Sequence, residues 1–302
     1  MTEIALWDPL LLCGGLLLGL GVGTLTGLFG AGGGFIITPA LHVILGVDMS
    51  LAVGTSACQV LGASAFTLMH HCSQKIRGMY VALFVGIGVP AGTWCGSGLV
   101  RYLKELPPLE FRGTAWNMVD LVLLSTFAVF LFAIAGWMLF DSFVLAPRRG
   151  GDAVPAGLLQ KWQIPPLYSF GSIPAGKFSI PVLMGLGICM GFLSGLLGIG
   201  GGVVMLPALF YLVGQEPKAA ALTSTMLIFV SGLFSTFFHA VDGNIHYLLA
   251  LAMVTGAFAG TRIGTLIQRK IDGGALRKYF AFVVLAAWCM VVWQLGKFLW
   301  QA

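Results

Sequence analysis

The sequence predicts an all-α polytopic membrane protein. It reads as two inverted-topology repeats, each a Gly-rich broken helix or re-entrant hairpin followed by three transmembrane helices. Three observations predict this. Of the 302 residues, 58% are hydrophobic and 9% charged, with a mean hydropathy of +0.95; soluble domains carry roughly 25% charged residues. Apolar runs of about twenty residues recur along the chain, each long enough to cross ~30 Å of hydrocarbon, where a β-barrel would show short alternating strands. Residues 23–103 also align without a gap on 191–271, at an offset of 168, with 25 identities in 81 pairs. Transporters are commonly built from such duplicated halves.

The first segment, 10–45, is one apolar run interrupted by "GAGGG", where Gly30, Gly32, Gly33 and Gly34 crowd five positions. Each Gly weakens a helix interior by about 1 kcal/mol relative to Ala, so the cluster marks a break. Helices are expected next over 50–70, 79–101 and 117–140. The second half repeats the order over 181–212, broken at Gly198, Gly200, Gly201 and Gly202, then 218–239, 246–268 and 277–299. The domains are thus a first repeat (1–140), a Pro/Gly-rich cytoplasmic linker (141–180) and a second repeat (181–302). Pro39 and Pro207, inside the returning arms, are expected to kink or end them.

Charge selects the topology. If each broken segment crossed the membrane once, the lysines and arginines would divide 8 against 7 between the two sides. If each enters and returns, they divide 11 against 4, the bias that marks cytoplasmic loops. As one helix, 10–45 would also run roughly 54 Å, too long for a single span. Both termini are therefore expected on the outer, periplasmic side. The linker and the loops 71–78 and 269–278 are expected in the cytoplasm, and the two halves are inverted.

The net charge of +5 sits in short loops and is not a nucleic-acid signature. No basic region precedes the first apolar run, so no cleavable signal peptide is expected. The six cysteines are scattered with no metal-ligand or disulfide spacing and read as small core residues. No metal and no cofactor is expected.

The glycine clusters carry the functional expectation. A hairpin buried in protein exposes backbone N–H groups where its returning arm begins, at 33–35 and 201–203. A helix N-terminus with its partial positive charge suits an anion. The alternative is that the glycines only let helices pack closely, the reading preferred for "GIGVPAG" (86–92) and "GAFAG" (256–260). Thr55 and Ser56, with Thr223, Ser224 and Thr225, sit early in the next helix of each half. They are hydroxyl donors to an anion's oxygens, or caps and back-bonds to carbonyls. Gln59, one turn on from Thr55, has Leu227 as its mate, so any role is asymmetric. His71 and His239 end the second helix of their halves and are candidates for gating or proton sensing, or for interfacial packing. Sixteen residues separate Thr55 from His71, roughly 24 Å along a helix, so the two cannot touch one ligand. Arg262 is an ionisable residue inside an apolar run, or a snorkelling one; its mate is Trp94.

Each half carries GxxxGLxGxGGGxxxxPAL, then a Thr-Ser pair, then a His before a loop. "HAVDGNIHYLLALAMVTGAFAGTRIG" (239–264) is the most similar stretch. This pattern resembles the TauE/SafE family of sulfite exporters and anion permeases, also grouped as toluene-sulfonate uptake permeases. The resemblance implies a bacterial inner-membrane secondary transporter for sulfite, sulfonates or related small sulfur-containing anions, and no enzyme. The membrane potential favours anion export by about 2.3 kcal/mol per charge per 100 mV. Proton or sodium coupling and a homodimer stay open, as do uptake and an anion channel. A Ser/His intramembrane protease, suggested by Ser194 and His239, lacks the glycine two residues before the serine, where Phe192 stands.

Overall fold

The structure, a computed structural model, describes residues 9–30, 32–71, 78–111, 114–145, 157–169 and 177–301. The basic residues Lys75, Arg77, Arg112, Arg148 and Arg149, which enter the charge argument, and Cys72 lie outside them. Eight helices among the described residues are long and apolar enough to cross a membrane. In chain order the first half holds α1 (Pro9–Phe29), α2 (Gly34–Leu45), α3 (Met49–His71), α4 (Met79–Glu105) and α5 (Met118–Phe140). The second holds α6 (Ile180–Leu197), α7 (Gly202–Pro207), α8 (Pro217–Val241), α9 (Tyr247–Gln268) and α10 (Gly273–Gln301).

The breaks fall at the glycines. Gly30, Gly32 and Gly33 have φ of 64°, 71° and 63°, and Gly198, Gly200 and Gly201 have φ of 66°, 63° and 72°. Side-chain-bearing residues seldom adopt that region, which explains why glycine recurs at these positions in both halves. Beyond the first tip the chain doubles back, since Gly33 packs against Val22 and Leu45 lies against Gly14. Pro39 sits inside α2 without ending it. Pro207 closes the α-helical part of α7, and the arm continues as a π-helix over Ala208–Val213.

The halves interlock by exchanging partners. α1 packs along α9, and its mate α6 packs along α4. The contacts run in register: Gly19, Gly23 and Gly27 meet the backbone of Met253, Ala257 and Thr261, while Gly187, Gly191 and Gly195 meet Val85, Val89 and Thr93. Gly256, Gly260 and Gly264, with Gly88, Gly92 and Gly96, return the same contacts. In both pairs the helices are parallel and close enough that a methyl group would strike backbone. Close approach of this kind is how helices associate where hydrophobic burial gives no driving force.

α3 and α8 cross at the centre. Gly54 at the start of α3 lies against His239 at the end of α8, and Leu61 meets Gly232, so this pair is antiparallel. The core around them is apolar, and Phe280 of α10 stacks on Phe29 and Phe35 at 5.3 and 6.0 Å between ring centres.

The described part of the linker carries structure: Leu167–Ser169 pairs antiparallel with Lys177–Ser179, Ser179 Oγ donates to Ile164 O at 2.7 Å, and Gln160 Nε2 donates to Val213 O at 3.2 Å. This part thus docks on the end of the second returning arm. Four cysteines (Cys13, Cys95, Cys189 and Cys289) are exposed rather than core. In a membrane bundle the outer face is as apolar as the interior, so composition cannot separate the two.

Candidate functional site

The two glycine tips meet in the middle of the fold. A Cβ on Gly34 would lie 2.7 Å from Ile199 Cα, so the backbones of the two tips touch. Val60, midway along α3, and Ile228, near the middle of α8, flank the junction. A Cβ on Gly32 would meet Ile228 at 2.9 Å and Val60 at 3.3 Å, and Gly200 faces the same two side chains. Val60 and Ile228 are repeat mates, as are Gly32 and Gly200, so the junction has local two-fold character. It is closed, with both aliphatic side chains fully buried.

Beside the junction begin the returning arms. In α2 the first intrahelical bonds are Ile36 N–H and Ile37 N–H to Gly33 O, at 3.0 and 3.3 Å. In α7 they are Val204 N–H and Met205 N–H to Gly201 O, at 3.1 and 2.8 Å. The amides just ahead of these, at Gly34, Phe35 and Val203, have no acceptor within their own helix. They point their partial positive charge toward the centre of a chain whose surroundings are apolar.

The Thr-Ser pairs serve the tips. Ser224 donates to Gly30 O, and Ser56 Oγ lies 3.0 Å from Gly198 O. Each serine thus holds a carbonyl in the tip of the other half, where helix α1 or α6 ends and carbonyls lose their intrahelical donors. Thr223 Oγ1 bonds back to Ala219 O at 2.9 Å, Thr225 Oγ1 to Ala221 O at 2.8 Å, and Thr55 Oγ1 accepts from His246 N–H at 3.1 Å. All four of the paired hydroxyls are fully buried. Gln59 is different. It is fully buried on α3, one residue before Val60, and neither Nε2 nor Oε1 has a partner among the described residues. A buried amide without partners is costly and uncommon.

His239 also serves the second tip. Its Nε2 lies 2.8 Å from Gly195 O. A carbonyl only accepts, so Nε2 carries the proton, and the buried Nδ1 has no partner. The antiparallel crossing brings His239 beside Gly54, next to Thr55. Sequence reasoning measured the distance from Thr55 to a His along one helix and missed this approach from the other half. The side chain of His71 lies outside the described residues. Arg262 is on the exposed face of α9 and is not brought to the junction. On its helix Thr261 and Gly264 face α1, which turns Arg262 outward.

Other polar residues that the sequence reading missed gather where α8 turns into α9. Arg101 Nη2 lies 2.6 Å from Asp242 Oδ1, and Lys104 donates to Asn244 Oδ1. Next to Lys104 is a cavity of about 280 Å³, lined by Asp48, Ser50, Asn117 and Asp120 among others. These residues sit at helix ends and turns, and of them Arg101 alone has an identical mate in the other half, Arg269. Among the described residues, no group of three or more His, Cys, Asp or Glu could hold a metal ion.

Eight apolar helices and two interlocked halves that meet in the middle of the fold define a polytopic membrane protein. The chain belongs to the TauE/SafE sulfite exporter family, whose model matches residues 15–291. It is 26% identical over 284 residues to the probable membrane transporter protein YunE of Bacillus subtilis, covering 92% of this chain and 96% of that one. It is 27% identical over 288 residues to the probable membrane transporter protein MJ0441 of Methanocaldococcus jannaschii, covering 91% of each. No solved structure matches.

Proposed function

We propose that the protein exports a small sulfur-containing oxyanion, sulfite or an organosulfonate, across the bacterial inner membrane by alternating access. The observation that carries this reading is the meeting of the two tips, beside which α2 and α7 begin with amides that have no acceptor within their own helices. An anion there accepts from the amides of Gly34, Phe35 and Val203, with Gln59 as an added amide donor. Ser56 and Ser224 hold the tips in shape. Thr55 braces the α8–α9 turn, Thr223 bonds back within its own helix, and Arg262 snorkels to the cytoplasmic surface.

In this reading each tip is a re-entrant hairpin, and the two halves lie inverted in the membrane. The start of α1, the α4–α5 turn and the α8–α9 turn face the periplasm, and the linker faces the cytoplasm. Irregular backbone at membrane depth is tolerated where it is buried in protein, as the tips are. Closure at Val60 and Ile228 keeps the two sides apart until the halves shift. The family's name for its substrate, sulfite, supports an anion of this kind.

The test is flux. Purified protein in liposomes is loaded with sulfite, sulfoacetate, taurine or sulfate, under an imposed potential with and without a pH or sodium gradient. Saturable anion movement driven by an interior-negative potential is the expected result. Movement of none of these anions, or conductance far above transporter turnover, overturns it.

A further inference from the structure

The two tips have the same backbone but are not held equally. The second tip is tied by side chains from three helices. Ser231 Oγ donates to Gly200 O at 2.6 Å, Ser235 Oγ to Ser194 O at 3.3 Å, and His239 Nε2 to Gly195 O at 2.8 Å. From α2 and α3, Thr38 and Ser56 form a hydroxyl pair at 2.7 Å, which reaches Leu197 O at 3.1 Å and Gly198 O at 3.0 Å.

The first tip keeps the Ser224 tie to Gly30 O. Two of the others cannot form there whatever the conformation. The mate of Thr38 is Leu206, and the mate of Ser231 is Ala63; neither carries a polar side-chain atom. At the first tip, among the described residues, Phe280 packs against Phe29 and Phe35. Hydrogen bonds fix a carbonyl in direction, whereas dispersion contacts are non-directional and survive sliding.

We propose that the first returning arm, Gly32–Gly34 with α2, is the moving gate of the transport cycle. The second tip is the fixed half against which it closes, with Ser231 and Thr38 as its positioning residues. This rests on the reading of the junction as the transport site and replaces an equal rocking of both hairpins with an unequal one. Regions of low local stability are those that open in function.

Hydrogen–deuterium exchange on the full-length protein in lipid nanodiscs tests it. Amides of residues 32–37 should exchange about tenfold faster than those of 200–205; equal or slower exchange overturns the proposal. Ser231→Ala should raise exchange at 200–205 and leave 32–37 unchanged. The double variant Ala63→Ser/Leu206→Thr, which supplies the missing hydroxyls, should slow exchange at 32–37 and lower sulfite turnover several-fold with sulfite affinity kept. Slowed exchange with normal turnover overturns the gating role. If the double variant does not fold, the wild-type comparison and Ser231→Ala decide. Added sulfite separates this proposal from the one beneath it: protection of neither tip removes the site, while unequal exchange of the two tips still stands or falls by itself.

Discussion

Val60 and Ile228, separated by 168 residues, face each other across the point where the two glycine tips meet, and both are fully buried. Two aliphatic side chains related by the repeat thus close the middle of the molecule. Shortening one should open it. Ile228→Ala removes three carbons from a site where the backbone is already tight, and such truncations cost about 2–5 kcal/mol. The expected outcome is a lower melting temperature together with raised passive anion leak in liposomes lacking a gradient. A destabilised but leak-free variant would place the seal elsewhere.

The glycines of the tips differ from the other glycines in what a side chain does to them. Gly33 and Gly201 have positive φ, and Gly33 also packs on Val22. Gly21 and Gly98 have open space around them and lie in ordinary helix. Gly33→Val and Gly201→Val should each abolish flux, by tenfold or more if backbone strain of about 1–3 kcal/mol is concentrated at the site. Gly21→Val and Gly98→Val should retain it. Equal activity of all four in the same liposome assay would make the clusters packing devices alone.

How much of this was legible before the structure follows from where each signal resides. The breaks, the helix limits and the duplication were legible because glycine clusters and apolar periods are local. The expected 50–70, for instance, is Met49–His71, and 246–268 is Tyr247–Gln268. The exchange of partners was not legible, since nothing in α1 alone says that its glycines meet α9 rather than α4. For the same reason Ser56 and Ser224 could be read as ligand groups or as caps. Which carbonyl each meets depends on a chain segment 142 or 194 residues away. Cys13 and Cys189 were misread as core because lipid-facing and buried positions share one composition.

The serine ties can be ranked. Ser224 donates to Gly30 O and Ser56 to Gly198 O, but Ser56 is paired with a second hydroxyl, Thr38, which donates to the neighbouring Leu197 O at 3.1 Å. Leaving a buried carbonyl without a donor costs about 1–3 kcal/mol. Ser224→Ala should therefore destabilise the protein by that order, and Ser56→Ala by less, because Thr38 keeps a proton for the same region. Thermal unfolding in detergent, followed for both variants side by side, checks the order. Equal losses, or the reverse order, would overturn the ranking.

Gln59 separates stability from transport. Its amide is buried without a partner, while its mate is Leu227, which is equally buried. If the amide had only a structural place, the chain would gain by losing it, since an unpaired buried amide costs about 1–3 kcal/mol. Gln59→Leu restores the residue that the other half uses at this position and is close in volume. The expected outcome is a higher melting temperature, since the desolvation penalty is removed, with a loss of anion flux of tenfold or more. That opposition is the mark of a residue kept for function against stability. Thermal unfolding and liposome flux on the same preparation check it. A variant that gains stability and transports normally would remove Gln59 from the site and leave the anion to the backbone amides of the two tips.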